Sequence, residues 1–213
     1  MEPATQSQKA QSICELAPII PVLIVETVEQ AEPLARALVA GGLPALEVTL
    51  RTEAALDVIA AMSRVEGGVV GAGTLLTPDD VKRAVDAGAQ FGVSPGSSDK
   101  LLAACEDEGL ALLPGAASAT EAMRLLEAGY FIQKFFPAEA AGGAPFLKSL
   151  SSPLPQISFC PTGGVSPENA TDYLSLPNVI CAGGSWVAPK DKVKSGDWDA
   201  IEALARNAAK LPR

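Results

Sequence analysis

Eight short apolar runs separated by Ala- and Leu-rich helical stretches predict an α/β fold for this 213-residue chain, a (β/α)8 barrel of the TIM type with a leading N-terminal helix. Two further observations agree. Aromatic residues make up only 5% of the chain, so Ala, Val, Ile and Leu must fill the core, as they do in parallel strands covered by helices. Gly also recurs where one helical stretch ends and the next apolar run begins, the place where a left-handed residue closes a helix.

Taken in order, the strand-like runs are residues 19–25, 45–49, 69–74, 91–94, 110–114, 132–135, 157–161 and 179–182. They lie about 20 to 25 residues apart, room for one helix and two short loops in each gap. The clearest helical stretches between them are 28–40, 53–63, 78–87, 99–108 and 120–128, with a leading helix over 7–15 and a closing helix over 198–209. Thr77 before Pro78, Asp79 and Asp80 is a helix start, and Ser166 before Pro167 and Glu168 reads the same way. No Pro-, Gly- or Ser-rich linker interrupts the pattern, so residues 1–213 form one domain with the first 11 residues loosely held. A doubly wound open sheet is the competing architecture.

Sixteen basic against 25 acidic residues leave a net charge of -9, which opposes non-specific attraction to nucleic acid or an anionic membrane. An anionic ligand therefore needs a local site. No apolar run approaches the roughly 20 residues that span a bilayer, and the first dozen residues lack the basic and apolar regions of a signal peptide. A cytoplasmic protein is expected. Cys14, Cys105, Cys160 and Cys181 are widely spaced and read as free thiols, with no metal site among them. The chain contains no histidine, which removes His-dependent triads and imidazole acid-base chemistry and leaves Lys, Glu, Asp, Tyr, Ser or Cys for catalysis.

In a barrel the active site lies at the carboxyl ends of the strands. Those ends carry Glu47 to Thr52, Gly71 to Thr74, Ser94-Pro95-Gly96, Lys134 to Pro137, Pro161 to Gly164 and Gly183-Gly184-Ser185. Lys134 stands in the apolar run Phe131 to Phe136, on the same strand face as Ile132, and points into the barrel. Burial disfavours the charged form of an amine, and a nearby Arg51 acts in the same direction, which leaves a neutral amine able to attack a carbonyl. A structural ion pair with Glu47 is the alternative. Glu47 is the only acid among the strand ends and so the natural proton shuttle, with a solvated rim carboxylate as its alternative. The glycine pairs Gly163-Gly164 and Gly183-Gly184 read as turns whose amides converge on a phosphate, or else as ordinary tight turns. Arg51 offers a bidentate clamp for a carboxylate, its alternative being a surface ion pair.

The segments ALVAGGLPALEVTLRT (37–52), VGAGT (70–74), AGAQFGVSPG (87–96), KFFPAEAAGG (134–143), FCPTGGVSPEN (159–169) and GGSW (183–186) together resemble the bacterial class I 2-keto-3-deoxy-6-phosphogluconate (KDPG) aldolases, which also act on 4-hydroxy-2-oxoglutarate (KHG). The resemblance runs from Pro18 to Arg206. It implies that Lys134 forms the Schiff base and Glu47 shuttles protons. It also implies that Arg51, Thr74, Pro95, Phe136 and Thr162 line the substrate site, and that Gly163, Gly164, Gly184 and Ser185 hold the phosphate. A homotrimer with no cofactor and no metal follows from it, with a phosphorylated keto acid and pyruvate as small-molecule partners. Ala116 departs from the family pattern, which has a β-branched residue there. Two other readings stand beside this one: an aldolase for the galactonate-derived epimer, and a phosphosugar-binding or isomerase barrel in which Lys134 acts only through its charge.

Overall fold

A computed structural model describes residues 1–213. Its strands are β1 (Ile19–Leu23), β2 (Ala45–Thr49), β3 (Val69–Gly73), β4 (Phe91–Val93), β5 (Ala111–Leu113), β6 (Gly115–Ala116), β7 (Ile132–Phe135), β8 (Ser158–Pro161) and β9 (Ala182–Gly184). The helices are α1 (Pro3–Cys14), α2 (Ala31–Ala40), α3 (Ala55–Met62), α4 (Pro78–Asp86), α5 (Asp99–Glu108), α6 (Ala119–Glu127), α7 (Gly143–Leu150), α8 (Ala170–Leu174), α9 (Lys190–Ser195) and α10 (Trp198–Ala208). Every strand pairing is parallel, in the order β5-β4-β3-β2-β1-β9 for one sheet and β6-β7-β8 for the other. The fold is α/β, with curled parallel sheets.

The fifth strand, expected over 110–114, is β5 at 111–113, and beyond Pro114, which has no N–H for a ladder, the chain forms the further strand β6. The Pro114 carbonyl still accepts from the Lys134 N–H at 2.8 Å, so the chain continues into the second sheet. The last strand is displaced. Residues 179–181 are outside it, with Val179 held only in a bridge to Phe159, whereas Gly183 and Gly184, expected as a turn, lie in β9 opposite Ile20 and Pro21. A Cβ on Gly183 would overlap the Thr162 side chain, so the glycine here permits a close approach rather than a turn.

Alternation divides the strand residues between two cores. Leu46, Val48, Ala72, Leu112, Phe135 and Phe159 pack beneath the helices in a cluster of 47 buried residues. On the opposite, concave face Ile20, Ala45, Phe91, Val93, Leu113, Ile132, Cys160 and Cys181 join Ala10 and Cys14 of α1 in a second cluster. Glu47 and Lys134 follow Ala45 and Ile132 on that inner face, two residues further toward the carboxyl ends.

Helix termini explain most boundaries. Thr77 caps α4 in a reciprocal box, its hydroxyl accepting from the Asp80 N–H while the Asp80 carboxylate accepts from the Thr77 N–H. Gly42, Gly88 and Gly129 follow helices with φ of 92°, 93° and 99°, a conformation that suits glycine. Two expectations are corrected. The leading segment is docked rather than loose: α1 starts at Pro3, the buried Ser7 hydroxyl accepts from the Phe131 and Ile132 N–H groups at 2.9 Å each, and the Gln6 side-chain oxygen accepts from the Leu112 N–H. No helix starts directly at Ser166, because residues 166–169 form a turn in which the Asn169 side chain accepts from the Ser166 N–H at 2.8 Å, and α8 begins only at Ala170.

Candidate active site at the carboxyl ends of the strands

Parallel pairing places Gly115 and Cys160 on either side of Lys134, and Val22 and Gly71 on either side of Glu47. The curl of the sheets then brings two side chains 87 residues apart into contact, with Lys134 Nζ 3.2 Å from Glu47 Oε1. Their side chains are 6% and 3% exposed. The Lys134 ammonium position also lies 5.3 Å from the centre of the Phe136 ring. A buried ion pair contributes little net stability after desolvation, so stability alone is a weak reason for placing these groups here. The same contact is a direct route for a proton between amine and carboxylate.

Arg51 and Thr74 meet just beyond the carboxyl ends of β2 and β3. Arg51 is exposed, makes no ion pair, and donates from Nε to Thr74 Oγ1 at 3.3 Å. Thr74 is the one non-glycine residue with positive φ, at 64°. That conformation costs of the order of 1–3 kcal/mol and is concentrated at functional sites. Two hydroxyls secure the strand and loop that carry Arg51: Thr49 donates to the Leu23 carbonyl at 2.9 Å and Thr52 to the Val25 carbonyl at 2.7 Å.

A cleft of about 150 Å³ brings Arg51, Phe136, Thr162, Gly163, Gly164 and Ser185 onto one wall. Lys134, Glu47, Thr74, Pro95 and Gly184 are not on that wall, although Phe136, beside Lys134, is. Pro95 packs its backbone against Gly115, where a Cβ would overlap it. Gly184 has no left-handed φ, and the Trp186 ring fills the space beside it. Gly163 and Gly164 do form a left-handed turn, with φ of 98° and 82°. The carbonyls of this turn are occupied, by the Glu139 N–H at 3.0 Å and the Asn169 side-chain amide at 3.0 Å. The N–H groups of Gly163, Gly164, Val165 and Ser185 donate to no protein acceptor. Unpaired amides converging on a cleft are suited to an anion.

Sequence reasoning assigned no role to Gly73, Glu139 or Tyr173. Gly73 borders the Glu47 carboxylate, and the Tyr173 hydroxyl donates to the Glu139 carboxylate beside the glycine turn. The signals were present: Gly73 stands at a strand end in VGAGT but has no side chain to suggest a role, and Glu139 in KFFPAEAAGG lies beyond the strand ends. No group of three His, Cys, Asp or Glu side chains is arranged to hold a metal ion.

A buried lysine in contact with a carboxylate, at the carboxyl ends of curled parallel strands, suits an aldehyde-lyase of the Schiff-base kind. The chain belongs to the KDPG and KHG aldolase family, whose model matches residues 10–204. It is 52% identical over 200 residues to the 2-dehydro-3-deoxy-phosphogluconate aldolase of Pseudoalteromonas atlantica, covering 93% of each chain. The KDPG aldolase of Zymomonas mobilis, solved with 3-phosphoglycerate, superposes with a TM-score of 0.93 at 47% identity over 97% of this chain and 98% of that one. The KDPG aldolase of Legionella pneumophila, in which pyruvate was captured at low pH as a covalent carbinolamine, superposes with a TM-score of 0.91 at 43% identity over 94% and 98%.

Proposed function

We propose that this chain is a metal-independent class I aldolase that cleaves 2-keto-3-deoxy-6-phosphogluconate to pyruvate and glyceraldehyde 3-phosphate, and 4-hydroxy-2-oxoglutarate to pyruvate and glyoxylate. The observation that carries the reading is the buried contact between Lys134 Nζ and Glu47 Oε1 at 3.2 Å. Lys134 Nζ attacks the C2 ketone to form a carbinolamine, which loses water to give the iminium. Loss of the C4 hydroxyl proton and breakage of the C3–C4 bond release the aldehyde, and the bonding electrons pass into the iminium to form an enamine. Protonation at C3 and hydrolysis then return pyruvate and the free amine. Glu47 is the group that gives and takes these protons.

The other site residues divide the substrate between them. Arg51, free of any acidic partner, takes the carboxylate, with Thr74, Pro95 and Phe136 shaping that end and Thr162 beside it. The amides of Gly163, Gly164 and Ser185 take the phosphate, while Gly184 supports them by packing on Trp186.

The architecture belongs to the same reading. We take the two sheets as one closed eight-stranded barrel and one domain, supported by the bridges Phe159–Val179 and Thr162–Gly183 and by the single run of β5 into β6. No helix is long and apolar enough to cross a membrane, which fits a cytoplasmic enzyme. The homotrimer rests on the family resemblance and is checked by light scattering of the purified protein.

Borohydride reduction in the presence of pyruvate tests the chemistry. Irreversible loss of activity and one pyruvate-derived label on Lys134 are expected, with activity unaffected by chelators. A label on another residue, such as Lys148, refutes the assignment.

A further inference from the structure

We propose that Glu139 and Tyr173 act as a brace that positions the Gly163–Gly164 turn, so that both are positioning residues for the phosphorylated substrate. The proposal rests on the reading of that turn as the phosphate site. Glu139 lies in the connection between β7 and α7, beyond Lys134, and touches the turn in two ways. Its N–H donates to the Gly163 carbonyl at 3.0 Å, next to the Ala138 N–H, which donates to the Thr162 carbonyl at 2.9 Å. Its stem lies against Gly164 so closely that a Cβ there would stand 2.7 Å from the Glu139 Cβ.

The carboxylate at the end of that stem accepts a hydrogen bond from the Tyr173 hydroxyl. Tyr173 belongs to α8, the helix that follows the turn, and its side chain is fully buried although Glu139 is exposed. Burial first, and the bond to Glu139 next, push the phenol well above its ordinary range, so it stays a donor at any working pH. The turn is thus tied on one side to the β7–α7 connection by backbone bonds and on the other to its own helix through the carboxylate. Gly143, whose φ of 66° suits glycine, borders this contact: a Cβ there would stand at ordinary contact distance, 3.5 Å from Glu139 Oε1 and 3.6 Å from the Tyr173 hydroxyl.

Charge makes the brace specific to phosphate. A carboxylate on a stem that crosses Gly164 repels a dianion and can itself accept from the free amides of the turn. The Tyr173 hydroxyl holds it near Gly143 as its acceptor, engaged with a donor other than those amides. Without the hydroxyl, the carboxylate competes with phosphate for the same donors.

The test compares KM and kcat on phosphorylated KDPG and unphosphorylated KHG. Tyr173→Phe, which keeps the ring, should raise KM for KDPG about tenfold, the scale of one charge-assisted hydrogen bond. The kcat on KDPG and both constants on KHG should stay within about twofold, the scatter expected where no interaction is lost. Adding Glu139→Gln should restore most of the KDPG affinity, because the competing charge is gone. Equal losses on both substrates, or no restoration in the double variant, overturn the brace. Glu139→Gln alone, at an exposed position, keeps the stem against Gly164 and removes the charge without a change in the core, so KM for KDPG should stay within about twofold; a rise as large as that of Tyr173→Phe overturns the brace. Gly163→Ala strains the turn at a φ of 98°, and its added methyl meets Phe136 and Pro137 rather than the Glu139 side chain. If it raises KM for KDPG and Tyr173→Phe does not, the brace fails and the phosphate site stands. If Gly163→Ala leaves KM for KDPG unchanged, the phosphate site itself is misplaced, and the brace falls with it.

Discussion

Gly73 and Glu47 share one space: a Cβ on Gly73 would overlap the Glu47 carboxylate and stand 2.7 Å from its Cγ. Gly71, two residues earlier on the same face of β3, makes the equivalent room for the Phe91 ring. Gly73 has no left-handed φ, so alanine fits its backbone and only the added methyl matters. Gly73→Ala should push the carboxylate off Lys134 and lower kcat about 100-fold, as loss of a positioned proton-transfer group does. Turnover near that of the parent, in a variant with an unchanged circular dichroism spectrum, would separate Glu47 from the chemistry.

Glu47→Gln keeps the shape of the side chain and an oxygen for the Lys134 contact, but removes the transferable proton. Turnover should fall by about 100-fold or more, while borohydride with pyruvate should still label Lys134 at a reduced rate. A variant that works normally across neutral pH would make the pair a structural one.

The Ser7 hydroxyl accepts from both the Phe131 and the Ile132 N–H groups at the entry to β7. Ser7→Ala takes this acceptor from two largely buried donors and should destabilise the fold by about 2 kcal/mol. Because α1 packs at the opposite end of the strands from Lys134, kcat and KM at room temperature should hold. Denaturant titration measures the first effect and steady-state kinetics the second.

All four cysteines are buried and none is in a disulfide. Burial, helped by Glu106, pushes the Cys105 thiol up to about 12. Cys181 is also raised, by hydrogen bonding with Cys14 and Cys160 and by burial. Thiolate is the reactive form, so a disulfide reagent near neutral pH should find almost no reactive thiol in the native enzyme and four after denaturation. Rapid modification of Cys105 or Cys181 in the native state would contradict this packing.

Asp197 caps α10 by accepting from the Ala200 N–H, and it accepts from Lys192 Nζ at 2.7 Å. The Lys192 bond, more than the backbone bond, holds its carboxyl below the ordinary value of 3.8. The folded state therefore binds the proton less tightly than the unfolded chain, and the resulting stability is present above the ordinary carboxylate range and lost as pH falls through the folded value. Asp197→Asn preserves the cap but not the charge. Its melting temperature should lie below that of the parent at about pH 7, and the gap should close at about pH 2. A gap independent of pH would assign the effect to the cap alone.

The sequence by itself determined the order of strands and helices, because apolar period and glycine punctuation depend on neighbours along the chain. It marked β2 and β7 at their observed limits and singled out Lys134 as a charge inside an apolar run. Glu47 stood out in the same way, as the lone acid at a strand end. Tertiary structure alone decided that these two residues meet at 3.2 Å, since that distance depends on the curl and register of strands 87 residues apart. It also decided the function of each glycine. Gly-Gly looks the same in sequence at 163–164 and 183–184, yet the first is a left-handed turn and the second a strand that permits close approach to Thr162 and Trp186. Ser7 securing β7 and Tyr173 holding Glu139 have the same origin. Each is set by which side chain of a distant segment occupies the adjacent space, and local pattern carries no record of that neighbour.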